Sequence, residues 1–269
     1  MMSSKRTLWR LLVLFILSGV SLQLYFLLRI AAMTVLAPQS TAFQRSEIRR
    51  IVGEQGQLAW SQTWRDDGDI ANNLRRAVIA SEDANFVDHP GVEWDALENA
   101  WRKNSQAKER AQKAQAAIQA RYERAVERAK KRGRTPPPPP SATPATPKII
   151  GGSTITQQLA KNLFLSSERS LLRKGQEFAI TFMLEGLLSK ERILDIYLNN
   201  VEWGEGVFGA QAAAQHYFHV DAAQLSSIQA ARLAVMLPAP KRFEKQPGSG
   251  YIQSRSAVIA ARMGAVELP

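Results

Sequence analysis

Residues 149–165 read IIGGSTITQQLAKNLFL and place polar groups at a spacing that could do chemistry. Thr154, Gln157, Gln158 and Lys161 stand at i, i+3, i+4 and i+7, so a helix here carries them in one stripe while Ile155, Leu159 and Leu163 face elsewhere. Thr154 with Gln157 fits a capping box, and Gly151 and Gly152 allow a tight lead into Ser153 and the helix. Amides and a hydroxyl ending in one ammonium suit a sugar joined to an anionic group. The same letters also describe an ordinary capped, solvent-facing helix.

A second candidate lies in ASEDANFVDHPG, residues 80–91. Glu82 and Asp83 stand where a helix gives way to a loop that ends in His89, Pro90 and Gly91. Partial burial at a cleft rim would raise a carboxylate pKa toward the range useful for a general base; a surface acidic pair is the plainer account. A third is Arg169, Arg173 and Glu177 at i, i+4 and i+8, with Lys174 three residues before Glu177. Intrahelical ion pairing explains it, and cations following an amide-rich helix equally suit a diphosphate.

Two look-alikes are set aside. Gly204, Gly206 and Gly209 match G-x-G-x-x-G by letter, but the preceding ILDIYLNN reads as helix rather than strand, and no βαβ unit surrounds it. His216 and His219 stand at i, i+3, and His89 is the one other histidine. Packed helix residues account for the pair better than a metal site does.

The elements that must hold these groups are mostly helical. Lys5, Arg6 and Arg10 precede an apolar run over 11–28, which with its apolar flanks exceeds the roughly 20 residues needed to cross a bilayer. The positive flank predicts residues 1–10 as a cytoplasmic tail, 11–36 as an anchor, and everything after it outside the cytoplasm. A cleaved signal peptide competes, but the small-residue site at Val35, Leu36 and Ala37 is followed by Pro38. Residues 37–68 carry little signal beyond short β-structure near 57–64. Asp69 is positioned to cap a helix over 70–81, and further helices are expected over 92–101, 170–188, 190–201, 207–218, 222–237 and 250–264. The fold class is mainly α.

The net charge of +11 is concentrated. Residues 102–135 hold 12 Lys and Arg against 3 Asp and Glu, a net of +9, which leaves +2 for the rest. Residues 103–132 have helical propensity but no continuous apolar face, and seven of the thirteen prolines then fall within 136–147. We read 104–148 as an insertion projecting into solvent, able to touch anionic headgroups or wall polymers. Outside the membrane, nucleic acid is excluded as its partner. Without cysteine there is no disulfide framework and no thiolate metal site.

The ordered motifs EDANFVDHPG, GGSTITQQLAKNLFL, RKGQEFAITFMLE, YLNNVEWGEGVFGAQAAAQHYF and LAVMLPAP, over residues 70–103 and 149–240, resemble the monofunctional, membrane-anchored peptidoglycan glycosyltransferases (transglycosylases) of glycosyltransferase family 51. The resemblance implies a lysozyme-like helical domain, at 37–269 outside the inner membrane, with a small hydrophobic part entering the bilayer; Phe164, Leu165, Leu171 and Leu172 suit that part. It implies polymerisation of lipid II: the GlcNAc 4-hydroxyl of the acceptor attacks the donor MurNAc anomeric carbon and expels undecaprenyl diphosphate with inversion. On the matching positions Glu82 is the general base, Asp83 and His89 support it, and Glu177 is the second carboxylate near the departing diphosphate. Lys161, Arg169 and Lys174 match diphosphate-binding positions, and Ser153, Thr154, Gln157 and Gln158 match those lining the cleft. Some members are stimulated by a divalent cation, Mg or Mn, although no dedicated metal site is visible here. Implied partners are lipid II, the nascent strand, membrane lipid, and bifunctional wall synthases or division proteins.

Two departures stand out. About 45 residues replace a short loop between the first two motifs, and Glu93 stands where Asp is common. No transpeptidase domain follows, so cross-linking is expected to fall to other proteins. The competing readings are a lytic muramidase on the same fold and a non-catalytic wall-binding scaffold.

Overall fold

A computed structural model of the chain describes residues 2–66, 68–139, 151–165 and 170–269, and among these it is mainly helical. Two compact units result, one made of residues 1–92 and 154–269, the other of residues 93–153.

The first unit begins with α1 (Met2–Ala32), whose stretch Arg6–Ala32 is long and apolar enough to cross a membrane. Most of its large apolar side chains are exposed, but one side of its last turns is buried: Phe26 meets Phe164 edge-on at 5.2 Å, and Ile30 and Met33 join the same core. Arg192 closes the end of α1, donating from Nε to the Met33 carbonyl (2.8 Å) and from Nη2 to that of Leu36 (3.2 Å). These contacts satisfy carbonyls that a helix end leaves unpaired.

Helix α2 (Ala42–Gln55) lies in the stretch that carried little sequence signal, yet it is locally specified, because Thr41 and Gln44 form a complete capping box. It leads through β1 (Ser61–Gln62) to α3 (Asn72–Glu82). The expected start of α3 is corrected: Asp69 does not cap it, and Ala71 occupies the cap position without a side-chain bond. The Ala71 N–H instead donates to the Ala222 carbonyl at 3.1 Å, so a distant loop sets where the helix begins.

After the second unit the chain re-enters at Thr154. Helices α5 (Ile155–Phe164), α6 (Leu171–Leu187) and α7 (Lys190–Asn200) follow, close to the expected bounds, with Thr154, Ser170 and Ser189 as side-chain caps. The expected helix over 207–218 is corrected at its front. Strands β2 (Glu202–Gly204) and β3 (Val207–Phe208) form a hairpin, β1 pairs parallel to β3, and α8 begins only at Ala210 and runs to Phe218. Gly206 turns the hairpin at φ +71°, where a Cβ would lie 2.1 Å from the Ala59 carbonyl oxygen. The glycine-rich letters therefore serve a tight turn against β1, not a nucleotide. The expected helix over 222–237 is also split: a 3₁₀ turn Ala222–Gln224 precedes α9 (Ser227–Met236), which Ser226 and Gln229 cap. Helices α10 (Pro240–Phe243) and α11 (Gly250–Arg262) complete the unit.

The core is formed chiefly by α3, α5, α7 and α9, with Leu74, Val78, Leu159, Leu194, Tyr197, Trp203 and Leu233 almost fully buried. Inside it Arg75 of α3 and Asp195 of α7 form a buried ion pair at 2.6 Å. Leu171 and Leu172, at the start of α6, are 92% and 88% exposed.

The second unit contains α4 (Trp94–Lys131), which runs without interruption through the point where composition changes near residue 103. The two helical readings on either side of that point are thus one helix. Lys113 and Lys131 pair with Glu109 and Glu127 along its exposed surface. Most of the proline run lies outside the described residues.

Candidate active site

Glu82 is the last residue of α3, half-buried, and its Oε2 accepts a hydrogen bond from Gln158 Nε2 of α5 at 3.0 Å. Gln158 Oε1 in turn accepts from the buried Tyr197 hydroxyl of α7 at 3.0 Å. The ionised carboxylate can only accept, so it holds the amide with its NH₂ toward Glu82 and its oxygen toward the phenol, which donates. Burial raises the Glu82 pKa above the ordinary carboxylate value; the bonds from Gln158 and Ser81 oppose this, and the charge of Asp83 adds to it. A glutamate so held is a proton acceptor poised for use nearer neutral pH.

Asp83 points the other way and is buried. Its Oδ2 accepts from the Ile155 N–H at 3.0 Å, the first residue of α5, where the helix dipole also favours a negative charge. Its Oδ1 lies 2.8 Å from His89 Nε2, and His89 Nδ1 accepts from the Gly91 N–H at 3.1 Å. That second bond places the ring proton on Nε2, so His89 donates to Asp83. Thr154 Oγ1 donates to the Gly91 carbonyl at 2.6 Å, and Lys190 Nζ donates to the His89 carbonyl at 2.7 Å. Gly91 takes φ +86°, and a Cβ there would come within 2.7 Å of Glu185 and 2.8 Å of Thr181. The loop after Glu82 is therefore clamped onto α5 at several points, and Asp83 and His89 are its positioning residues.

The remaining residues separate by role. Thr154 and Gln157 are buried and complete the α5 capping box with each other. Gln157 Nε2 is nonetheless buried without a hydrogen-bond partner. Ser153 ends the second unit and is exposed, while Arg169 lies outside the described residues. Lys161 follows Gln158 by one helical turn on α5. Desolvation of its ammonium lowers its pKa, Glu177 opposing this and Arg173 and Lys174 adding to it. Glu177 is buried, binds Lys174 Nζ, and accepts from Arg173 Nη1 at 3.2 Å. One carboxylate thus gathers three cations, an arrangement suited to holding an anion of two or more charges. α5 links the Glu82 and Glu177 clusters through Gln158 and Lys161.

Tyr197 is the residue that sequence reasoning missed. It was visible in YLNN, but no spacing relates it to Gln158, 39 residues away. Tyr197→Phe should leave the fold intact, free the Gln158 amide to rotate, and move the acid limb of the pH–rate profile upward as Glu82 loses a bond that lowers its pKa. Below neutral pH the rate should fall by about fivefold, the worth of one ordinary hydrogen bond; rate measurements over a pH series check it.

A separate carboxylate group gathers Glu47, Glu202 and Glu205 around Lys241 and Arg50. Burial pushes Glu202 up to about 7, with Lys241, 3.4 Å away, only partly offsetting it. A folded-state value above that of the unfolded chain stabilises below about pH 4.5 and is lost as pH rises through about 7. Glu202→Gln should therefore raise stability at pH 8 by about 1–3 kcal/mol and leave it unchanged near pH 4, read from melting curves at both values. Among the described residues, no three metal-capable side chains converge, around His216 or elsewhere.

Comparison with known proteins places these features in a family. A family model described as Transglycosylase matches residues 49–131 and 143–264. Proteins named biosynthetic peptidoglycan transglycosylase are similar along most of their length. The one from Cupriavidus metallidurans is 48% identical over 262 residues, covering 94% of this chain and 95% of that one. That from Herminiimonas arsenicoxydans is 44% identical over 265 residues, 98% of each, and that from Burkholderia pseudomallei 48% over 247 residues, 92% and 82%.

Proposed function

Since the chain belongs to the transglycosylase family, we propose that it polymerises peptidoglycan glycan strands from lipid II, with Glu82 as the general base. The chain is a peptidoglycan glycosyltransferase of mainly helical, lysozyme-like fold. The observation that carries the assignment of roles is the Tyr197–Gln158–Glu82 relay, which aims a carboxylate of raised pKa from the core of the domain.

In this reading Glu82 takes the proton of the acceptor GlcNAc 4-hydroxyl as its oxygen attacks the donor anomeric carbon. The bond to undecaprenyl diphosphate breaks, and the anomeric centre inverts to a β-1,4 linkage. A diphosphate departs well once its developing charge is neutralised, so the step needs a base and cations more than a strong acid. Lys161, Lys174 and Arg173 supply that charge, with Arg169 completing the set. Glu177 holds Arg173 and Lys174 in place; Gln158 faces the approach beside Glu82, and Thr154 and Gln157 support it from inside by capping α5.

Helix α1 anchors the enzyme in the inner membrane, with the catalytic unit on the periplasmic side and Leu171 and Leu172 in the outer leaflet. The basic helix and proline run, 104–148, form an insertion in that domain. The test is purified full-length protein with lipid II: glycan polymer should form, and isolated cell walls should remain uncut. Release of wall fragments without polymer would favour the lytic muramidase. Wall association that needs 104–148 but not Glu82, with no polymer at all, would favour the scaffold.

A further inference from the structure

The far end of α1 carries a groove whose walls include none of the residues assigned to polymerisation. Its volume is about 630 Å³, and Arg29, Met33, Leu36, Pro38, Ser40 and Arg45 contribute to its walls. That size falls in the range of small-molecule sites, about 300–1,000 Å³. Arg10 and Arg29 bracket residues 11–28, which carry no charge. At about 1.5 Å per residue that stretch spans roughly 27 Å, close to the hydrocarbon thickness of about 30 Å. With Arg10 at one headgroup layer, Arg29 falls at the other.

Arg45 reaches the same groove from the first turn of α2, where Nη1 donates to the Ser40 carbonyl (3.3 Å) and Oγ (3.0 Å). Arg192, the third guanidinium at this end, is spent on α1 carbonyls. Among the described residues, no carboxylate pairs with Arg29 or Arg45. Two guanidinium groups without counter-ions, over an apolar wall at headgroup depth, match a phosphate whose acyl chains run down beside the helix. The groove walls include no carboxylate to receive a headgroup ammonium, which disfavours zwitterionic lipid.

We propose that this groove binds the headgroup phosphate of an anionic phospholipid, with Arg29 and Arg45 as its ligands and Met33 and Leu36 against the glycerol–acyl junction. The proposal rests on the reading of α1 as a membrane span. It is tested with full-length protein in vesicles of phosphatidylcholine alone or with phosphatidylglycerol, followed by detergent extraction and mass spectrometry of the retained lipid. Phosphatidylglycerol should be retained selectively, and retention should fall roughly fivefold for each of Arg29→Gln and Arg45→Gln and about twentyfold for the double variant, with melting temperature unchanged. Equal retention of both lipids, or equal retention by wild type and double variant, overturns the site. Displacement of the lipid by millimolar inorganic phosphate overturns the lipid assignment in favour of a free-anion site. Flotation with phosphatidylcholine vesicles separates the two readings: protein that floats without phosphatidylglycerol selectivity loses only the groove, and protein that floats with neither composition loses the membrane span as well.

Discussion

Glu82→Gln is expected to lower the rate of glycan polymerisation from lipid II by about 10²–10⁴-fold, the usual worth of a positioned general base. Glutamine has nearly the same shape, and its carbonyl can still accept from Gln158 Nε2, which now bonds Glu82 at 3.0 Å. The fold should therefore survive. Removing a carboxylate whose burial raises its pKa relieves a desolvation penalty, so the variant should melt no lower than wild type at neutral pH. The pH dependence supplies a second readout. The base works only when ionised, so the wild-type rate should rise with pH through a limb lying above the ordinary glutamate value of 4.5. The residual rate of Glu82→Gln should lack that limb. A variant within threefold of wild type, or one with the same acid limb, would remove Glu82 from the chemistry.

Asp83→Asn should be the most damaging single-atom change to the fold near the site. Asp83 accepts on both oxygens, from the Ile155 N–H and from His89 Nε2. Asparagine can accept on only one. Turned toward Ile155, its NH₂ meets another donor. Turned toward His89, it forces the ring proton onto Nδ1, which then meets the Gly91 N–H 3.1 Å away. Either orientation leaves two donors facing each other in a buried place. The expected loss is about 2–3 kcal/mol, or roughly 5–10 °C in melting temperature. Polymerisation should fall with it, because the loop that follows Glu82 is no longer clamped to α5. Fluorescence melting curves in detergent decide the matter; a shift under about 1 °C would mean the clamp is not stabilising.

The two variants divide the first motif by task. Glu82 is half-buried at the end of α3 and bonded to Gln158, while Asp83, one residue on, faces inward and holds the loop. A surface acidic pair would give neither effect, and adjacent carboxylates on a helix end cannot be told apart by type.

The sequence determined what depends on near neighbours. The capping box of Thr154 and Gln157, the helices at Ser170 and Ser189, the ion pairs of Glu177 with Arg173 and Lys174, and the apolar span over 11–28 all follow from period and chain-local bonds. The family motifs added the expectation that Glu82 is the general base. Tertiary structure decided the rest, because its partners are far apart in the chain. Gln158 finds Glu82 across 76 residues and Tyr197 across 39, and the start of α3 is set by a carbonyl at residue 222. It also decided that Thr154 and Gln157 turn inward to cap their helix, and that two arginines 16 positions apart share one groove at the end of α1. Helical period records which side of a helix is polar; only packing of one helix on another says which polar groups are consumed inside and which are left facing the substrate.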